Sequence, residues 1–188
     1  MIKRLLTVRN ALNITRGKGI ATPVKKEGIA VRDCKNGKNF NRYRIQIVNS
    51  ACCCLEINGQ KISHFVAPDT KAGIQKLYVV KDGRDICYVG ITSQSISSRL
   101  RTGVVDNGHY GYHGYKWKDK LKKAELLIWI FPDKTKANNV EAIEAELVYY
   151  IREKTGNWPK YQMEIHFHRA SESEKQIAKS ILSQLLDS

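Results

Sequence analysis

The stretch KLYVVKDGRDICYVGITSQSISSRL, residues 76–100, contains two short apolar runs separated by a turn signal. The runs, 77–80 and 86–89, each carry a tyrosine, and the Asp82-Gly83 dipeptide between them is typical of hairpin turns. Downstream, Ser93 or Ser95 can cap a helix that carries Arg99. The stretch therefore predicts an antiparallel hairpin followed directly by a helix.

The two tyrosines can share a site only if their side chains lie on one face of the hairpin. Successive side chains of a strand alternate between faces, so a two-residue loop would place Tyr78 and Tyr88 on opposite faces. A three-residue loop over 81–83, ending in a left-handed glycine, pairs Val80 with Arg84 and brings both tyrosines to one face. We therefore predict a hairpin whose loop is odd or bulged.

This stretch resembles the start of the GIY-YIG nuclease domain. The resemblance rests on Leu77-Tyr78-Val79, on Tyr88-Val89-Gly90 and on Arg99, and it covers roughly residues 74–162. Lys76 stands where the family usually has glycine. The family includes homing endonucleases, some restriction enzymes and a group of repair nucleases.

The resemblance implies an α+β fold, a small antiparallel three-stranded sheet flanked by helices. It also implies a metal-dependent endonuclease that hydrolyses phosphodiester bonds in DNA, with Mg²⁺ or another divalent cation as cofactor. The implied catalytic residues are Tyr78, Tyr88, Arg99 and Glu144, with Glu144 as the metal ligand. Many members also have a histidine after the arginine; His109 and His113 are both in range, and we favour His113 as a catalytic residue.

Glu144 draws attention independently, because it lies on the apolar stripe of a predicted helix. That stripe consists of Val140, Ile143, Leu147 and Ile151. A carboxylate on a buried face is costly unless it is paired or binds a cation. The surrounding sequence IEAELV, 143–148, resembles the family's metal-binding helix, with Glu146 as the rival ligand and an internal ion pair to an arginine as the structural alternative.

The order of the remaining elements also agrees with the resemblance. Residues 124–131 are almost continuously apolar and end at Pro132, which predicts a buried central strand after a short basic helix at 118–123. The segment Pro159-Lys160-Tyr161-Gln162 resembles the proline-aromatic-amide ending of the family. Either Asn157 or Gln162 would supply the amide.

The first third of the chain is its basic part. The formal net charge is +14, and residues 1–70 hold 13 Lys and Arg against 4 Asp and Glu. Such an excess favours a polyanionic partner, with nucleic acid as the first candidate and an anionic membrane surface as the second. The resemblance implies DNA as that nucleic acid, with RNA as the alternative. The candidate contacts to nucleic acid are Arg42, Arg44, Arg101, Lys116 and Lys118.

Three segments follow from this pattern. Residues 1–73 are a β-rich basic extension, in which an Asn-Gly turn pairs Glu56 with Lys61. Residues 74–162 are the GIY-YIG-like nuclease domain, and residues 163–188 are a C-terminal strand and helix that pack on the core.

Membrane classes are disfavoured, because no apolar run is long enough to span a bilayer and no signal-peptide pattern begins the chain. We expect a cytoplasmic protein without a membrane partner, acting as a monomer or homodimer. The alternative to an endonuclease is a non-catalytic nucleic-acid-binding protein that keeps the nuclease fold. Convergence of Tyr78, Tyr88, Arg99 and Glu144 around one solvent-open cleft would favour catalysis, whereas a Glu144 sealed against an internal arginine would favour binding alone.

Overall fold

The computed structural model describes residues 31–32, 39–106, 114–163 and 165–188. Its strands are β1 (Asn41–Val48), β2 (Ala51–Ile57), β3 (Gln60–Lys61), β4 (Lys76–Asp82), β5 (Asp85–Thr92) and β6 (Lys123–Ile130). Its helices are α1 (Ile96–Val105), α2 (Ala137–Thr155) and α3 (Glu172–Leu186), with a 3₁₀ helix at Lys116–Asp119 in place of the basic helix expected at 118–123.

The expected three-stranded sheet is wrong, although the fold is α+β. The described strands form one six-stranded antiparallel sheet in the order β3-β2-β1-β6-β4-β5. Strand β1 pairs with β6 from Asn41–Ile128 to Gln46–Lys123, so the N-terminal strands extend the sheet that carries the tyrosines. The reason for the error is that strand periodicity shows which face of β1 is buried but not which distant strand it pairs with.

The sheet is covered on both faces. One face buries Tyr43, Ile45 and Tyr78 beneath α1 and the aromatic residues around the 3₁₀ helix. The other buries Leu77 and Trp129 against α2 and α3. Strand β6 lies inside the sheet between β1 and β4, which confirms the buried central strand.

The turn of the tyrosine hairpin differs from the expected three-residue loop. Asp82 pairs with Asp85, so the loop is the two-residue Gly83-Arg84, and the predicted pairing of Val80 with Arg84 is wrong. Gly83 does have a left-handed φ of 58°. Gly83 is the first residue of the observed loop and was the last residue of the expected one, so the same left-handed glycine fits both loops and the sequence did not separate them.

The extra residue that brings both tyrosines to one face lies instead within β5, where Cys87 forms a β-bulge. Lys81 pairs with Ile86 and Val80 pairs with Tyr88, so Cys87 is an extra residue on β5. The bulge shifts the register by one position, and Tyr78 and Tyr88 consequently lie on one face. The condition of an odd or bulged hairpin is confirmed.

The segments that flank the tyrosine hairpin agree only in part with expectation. The Asn58-Gly59 turn pairs Glu56 with Lys61 as predicted. Helix α3 packs on the core through Ala178, Ile181 and Leu185. Residues 165–170 form no strand, because their alternating pattern buries no face: Phe167 is 72% exposed.

Candidate active site

Tyr78 and Tyr88 lie side by side at the centre of the candidate site. Their ring centroids are 6.1 Å apart, Tyr78 is fully buried and Tyr88 is partly exposed. Gly90 lies opposite Tyr78 in the ladder, and a Cβ atom there would come within 2.6 Å of Tyr78 Oη and 2.7 Å of Tyr88 Cε1. A glycine is required at this position because the two rings pack directly over its backbone.

Arg99 reaches the same cluster from α1. The Ser95 side chain caps this helix by accepting a hydrogen bond from the Ser98 N–H at 3.1 Å, which fixes where the helix begins. One turn later, Arg99 Nε donates to Tyr78 Oη at 3.3 Å. A guanidinium has five N–H donors in a rigid, planar fork, so a bond through Nε fixes the orientation of the whole group.

Tyr115 completes the cluster and was not predicted. Its Oη lies 2.7 Å from Tyr78 Oη, and its ring centroid lies 5.3 Å from that of Tyr88. The ring covers Gly103 of α1, where any Cβ atom would collide with it. Gly103, one turn after Arg99, is a helical glycine that indicates a close packing contact in the sequence, but it does not identify Tyr115 as the partner.

Glu144 lies on α2 in a partly buried position. Burial, and to a smaller extent the charge of Glu141, raise the pKa of its carboxyl to about 8, against the lowering effect of the Arg99 charge. Arg99 and Glu144 are therefore coupled electrostatically although they belong to helices on opposite sheet faces. Within the described residues no hydrogen bond or salt bridge reaches the Glu144 carboxylate, so the internal ion pair with an arginine is not formed.

The Glu144 carboxylate fits one way of binding a divalent cation, in which the protein supplies a single ligand. Among the described residues, no three His, Cys, Asp or Glu side chains cluster closely enough to enclose a metal ion. Mg²⁺ can instead be held by a single carboxylate, with waters and substrate phosphate completing its octahedron. A desolvated carboxylate with a raised pKa suits that mode, because a cation would offset the cost of its charge. Glu144 is the residue that would hold it.

The structure separates some of the alternatives that the sequence left open. The Glu146 carboxylate accepts a hydrogen bond from the Tyr150 hydroxyl, one turn further along α2. Gln162 Oε1 accepts a hydrogen bond from the Val89 N–H at 3.0 Å, whereas Asn157 is exposed and bonds to Thr155 at the end of α2. Gln162 is thus the amide beside Tyr88. His109 and His113 lie outside the described residues.

The predicted nucleic-acid contacts fall into two groups. Arg101 and Lys116 are exposed on α1 and the 3₁₀ helix, and Lys118 donates to the Asp106 carbonyl at the end of α1. This group comes from the elements that carry Arg99 and Tyr115. Arg42 and Arg44 lie on the sheet face opposite the tyrosines, where Arg44 pairs with Glu56 at 3.1 Å.

Lys76, which replaces the usual glycine of the family, is a structural residue. It is fully buried, and burial lowers the pKa of its ammonium to about 8, against the opposing effect of Asp69. Its Nζ donates at 2.7–2.9 Å to the carbonyls of Lys71, Ile74 and Gln94. Since Gln94 immediately precedes the Ser95 cap, Lys76 ties the connector before β4 to the start of the helix that carries Arg99.

Comparison of the chain with protein-family models, with curated proteins and with solved structures finds no match in any of the three. The helices within the described residues include none that is both long enough and apolar enough to cross a membrane. The functional argument consequently rests on the geometry of the site.

Proposed function

We propose that this protein is a GIY-YIG-like endonuclease that hydrolyses phosphodiester bonds in DNA with the help of a divalent cation. The observation that carries the proposal is the convergence of Tyr78, Tyr88 and Arg99, with the Glu144 carboxylate within electrostatic reach of the Arg99 guanidinium. Arg99 donates to Tyr78, the tyrosine rings are neighbours, and the Arg99 charge lowers the pKa of Glu144. These residues come from four different elements, β4, β5, α1 and α2.

Each residue has a role that suits phosphodiester hydrolysis. The reaction needs an in-line water and neutralisation of the charge that develops on the phosphoryl oxygens. The Arg99 fork would hold the scissile phosphate, and the partly exposed Tyr88 would contact the attacking water. A divalent cation, when bound at Glu144, would supply further charge neutralisation.

Tyr78 acts in this proposal through Arg99 and does not act as a base. Burial and the neighbouring Tyr115 raise the pKa of Tyr78 well above its ordinary value, against the lowering effect of Arg99. Tyr78 therefore stays a neutral phenol that accepts the Arg99 Nε–H. It is a positioning residue for the guanidinium.

A second candidate is a nucleic-acid-binding protein that keeps the fold without cleavage. The complete burial of Tyr78 favours it, because a buried phenol cannot take a proton from a water in solvent. If the chemistry required Tyr78 as its base, this arrangement would bind a phosphodiester without hydrolysing it.

Nicking of supercoiled plasmid distinguishes the two candidates. Wild type, Glu144→Gln and the matched control Glu146→Gln are compared with Mg²⁺ and with EDTA. We expect Mg²⁺-dependent nicking that Glu144→Gln lowers by about 100-fold or more, the usual effect of removing one charge-stabilising group, and that Glu146→Gln retains. Equal nicking by wild type and Glu144→Gln would contradict the role of Glu144. Absence of nicking by wild type on supercoiled, branched and single-stranded DNA would support binding alone.

A further inference from the structure

A second concave surface lies outside the candidate active site, between the tip of the β4–β5 hairpin and the ends of α2 and α3. It is a groove of about 350 Å³. Ile86, Ile151 and Leu186 form its apolar part, and Trp158, Arg84 and Lys160 also line it. One acidic residue, Asp85, lines it as well and pairs with Lys160 at 3.7 Å, a long contact between two exposed side chains.

Trp158 is the most unusual side chain in this groove. It is 40% exposed, whereas Trp117 and Trp129 are fully buried in the two cores. The guanidinium of Arg152 lies over its ring, 4.5 Å from the centroid. An exposed indole held by an arginine at the edge of an apolar groove is a surface suited to a flat, uncharged ring attached to an anionic chain.

We propose that this groove binds an unpaired nucleotide of the strand that enters the candidate active site. Its base would stack on Trp158 over the apolar part of the groove, and Arg84 and Lys160 would contact the adjacent phosphates. Every base has a π face, so such stacking is tolerant of sequence. The basic residues outnumber the acidic one in the groove, and the whole chain carries a net charge of +14, which complements a phosphate backbone.

The groove is fixed relative to the candidate site, on whose proposed function this inference rests. Glu144 and Ile151 are seven residues apart on α2, hence on one helix face and about 10 Å apart at 1.5 Å per residue. About three stacked nucleotides span that distance at roughly 3.4 Å each. The groove thus lies about two helical turns of α2 from Glu144, a distance that a strand of about three nucleotides can cover.

The segment that carries Trp158 is also attached to the tyrosine hairpin. The Lys160 N–H donates to the Ile86 carbonyl at 3.0 Å, and the Tyr161 N–H donates to the Cys87 carbonyl at 2.8 Å. The second bond uses the carbonyl of the bulge residue that sets the register of Tyr88. The bulge thus orients both the second tyrosine and the segment after Trp158.

The test measures binding of a short oligothymidylate in EDTA, with Glu144→Gln as the parent so that binding is read without cleavage. Because the other two tryptophans are buried, stacking should quench the emission of Trp158 selectively. By anisotropy of a labelled oligonucleotide, Trp158→Ala should weaken binding about 5- to 100-fold, the range of one base stacked on an aromatic ring. Trp158→Phe should retain most of the affinity, and so should the control Tyr149→Ala, which removes a 50% exposed aromatic ring elsewhere on α2.

Two further comparisons separate a loss of oligonucleotide binding at the groove from a folding defect and from the proposed nuclease activity. If Trp158→Ala fails to fold, Arg84→Glu with Lys160→Glu replaces it and should weaken binding and reduce the salt slope by about two. Equal affinity of the groove variants and the parent would overturn the inference even if the protein nicks plasmid, as would preferential binding of an acidic peptide by the groove. Loss of oligonucleotide binding in the groove variants of a protein that does not nick would uphold the groove and overturn the nuclease.

Discussion

The Glu144 carboxylate lies in a partly buried position that disfavours its negative charge. Its pKa therefore differs between the folded and the unfolded protein. Its pKa is about 8 in the folded protein against an ordinary value of 4.5. Between these values the folded state holds a proton that the unfolded state lacks, so the free energy of unfolding falls as pH rises through this window. Below pH 4.5 both states are protonated and the effect vanishes.

Glu144→Gln should therefore stabilise the protein progressively more as pH rises. Glutamine has nearly the same shape and no proton to lose, so the difference from wild type should be close to zero near pH 4.5. It should reach about 1–2 kcal/mol near pH 8, allowing for screening of a partly exposed group at about 1.4 kcal/mol per pKa unit. Urea unfolding across the window measures it, with Glu146→Gln as control. A difference that does not change with pH would contradict the desolvated environment of Glu144.

Individual residues differed in how far the sequence revealed them. Glu144 could be singled out because a carboxylate on an apolar stripe is visible in the helical period alone. Tyr115 could not, because its contact with Tyr78 depends on where the loop after α1 returns, and no local pattern encodes that path. Lys76 looked like a defect in a motif, and its three carbonyl partners are visible only in the folded chain.

At the level of elements, the tyrosine hairpin shows how much the two-residue period of a strand can predict about the pairing of two strands. The requirement that both tyrosines share a face follows from the two-residue period of a strand, and the structure satisfies it. This period alone does not show whether the extra residue lies in the loop or within a strand. The bulge at Cys87 is selected by tertiary contacts, including the hydrogen bond from the Tyr161 N–H to its carbonyl.

Gly90→Ala tests the packing of this hairpin. The added Cβ atom would lie 2.6 Å from Tyr78 Oη and 2.7 Å from Tyr88 Cε1, so one ring has to move. We expect a loss of about 1–3 kcal/mol in the free energy of unfolding from overpacking. Nicking should fall sharply, because Tyr78 would no longer orient Arg99.

The matched control for that variant is Gly83→Ala at the tip of the same hairpin. Gly83 has a φ of 58°, and no atom lies within 4 Å of the position that an added Cβ would take. Alanine there consequently strains only the backbone, by about 1 kcal/mol. Nicking per folded molecule should be unchanged in Gly83→Ala. Equal activity of the two variants would show that the tyrosine pair tolerates displacement, contrary to the proposed role of Tyr78.

At the level of the whole molecule, the N-terminal strands belong to the sheet that carries the site. Tyr43 and Ile45 of β1 are fully buried in the same core as Tyr78. Asn41 and Tyr43 both donate hydrogen bonds to the buried Asp69 carboxylate, whose backbone carbonyl accepts from Ile96 N–H at the start of α1. Local sequence patterns indicated β-structure in residues 1–73, but the single sheet arises from pairing between β1 and β6, about eighty residues apart in the chain.

Removing residues 1–73 should therefore prevent independent folding of the remainder. The truncated chain would expose the hydrogen-bonding edge of β6 and the buried face that Tyr43 and Ile45 cover, and an uncovered apolar edge strand promotes association. We expect aggregation on size-exclusion chromatography and no cooperative urea transition by far-UV circular dichroism. A monomeric 74–188 fragment with a cooperative transition would instead establish the nuclease-like segment as a separate domain, with β1–β3 as an appendage to it.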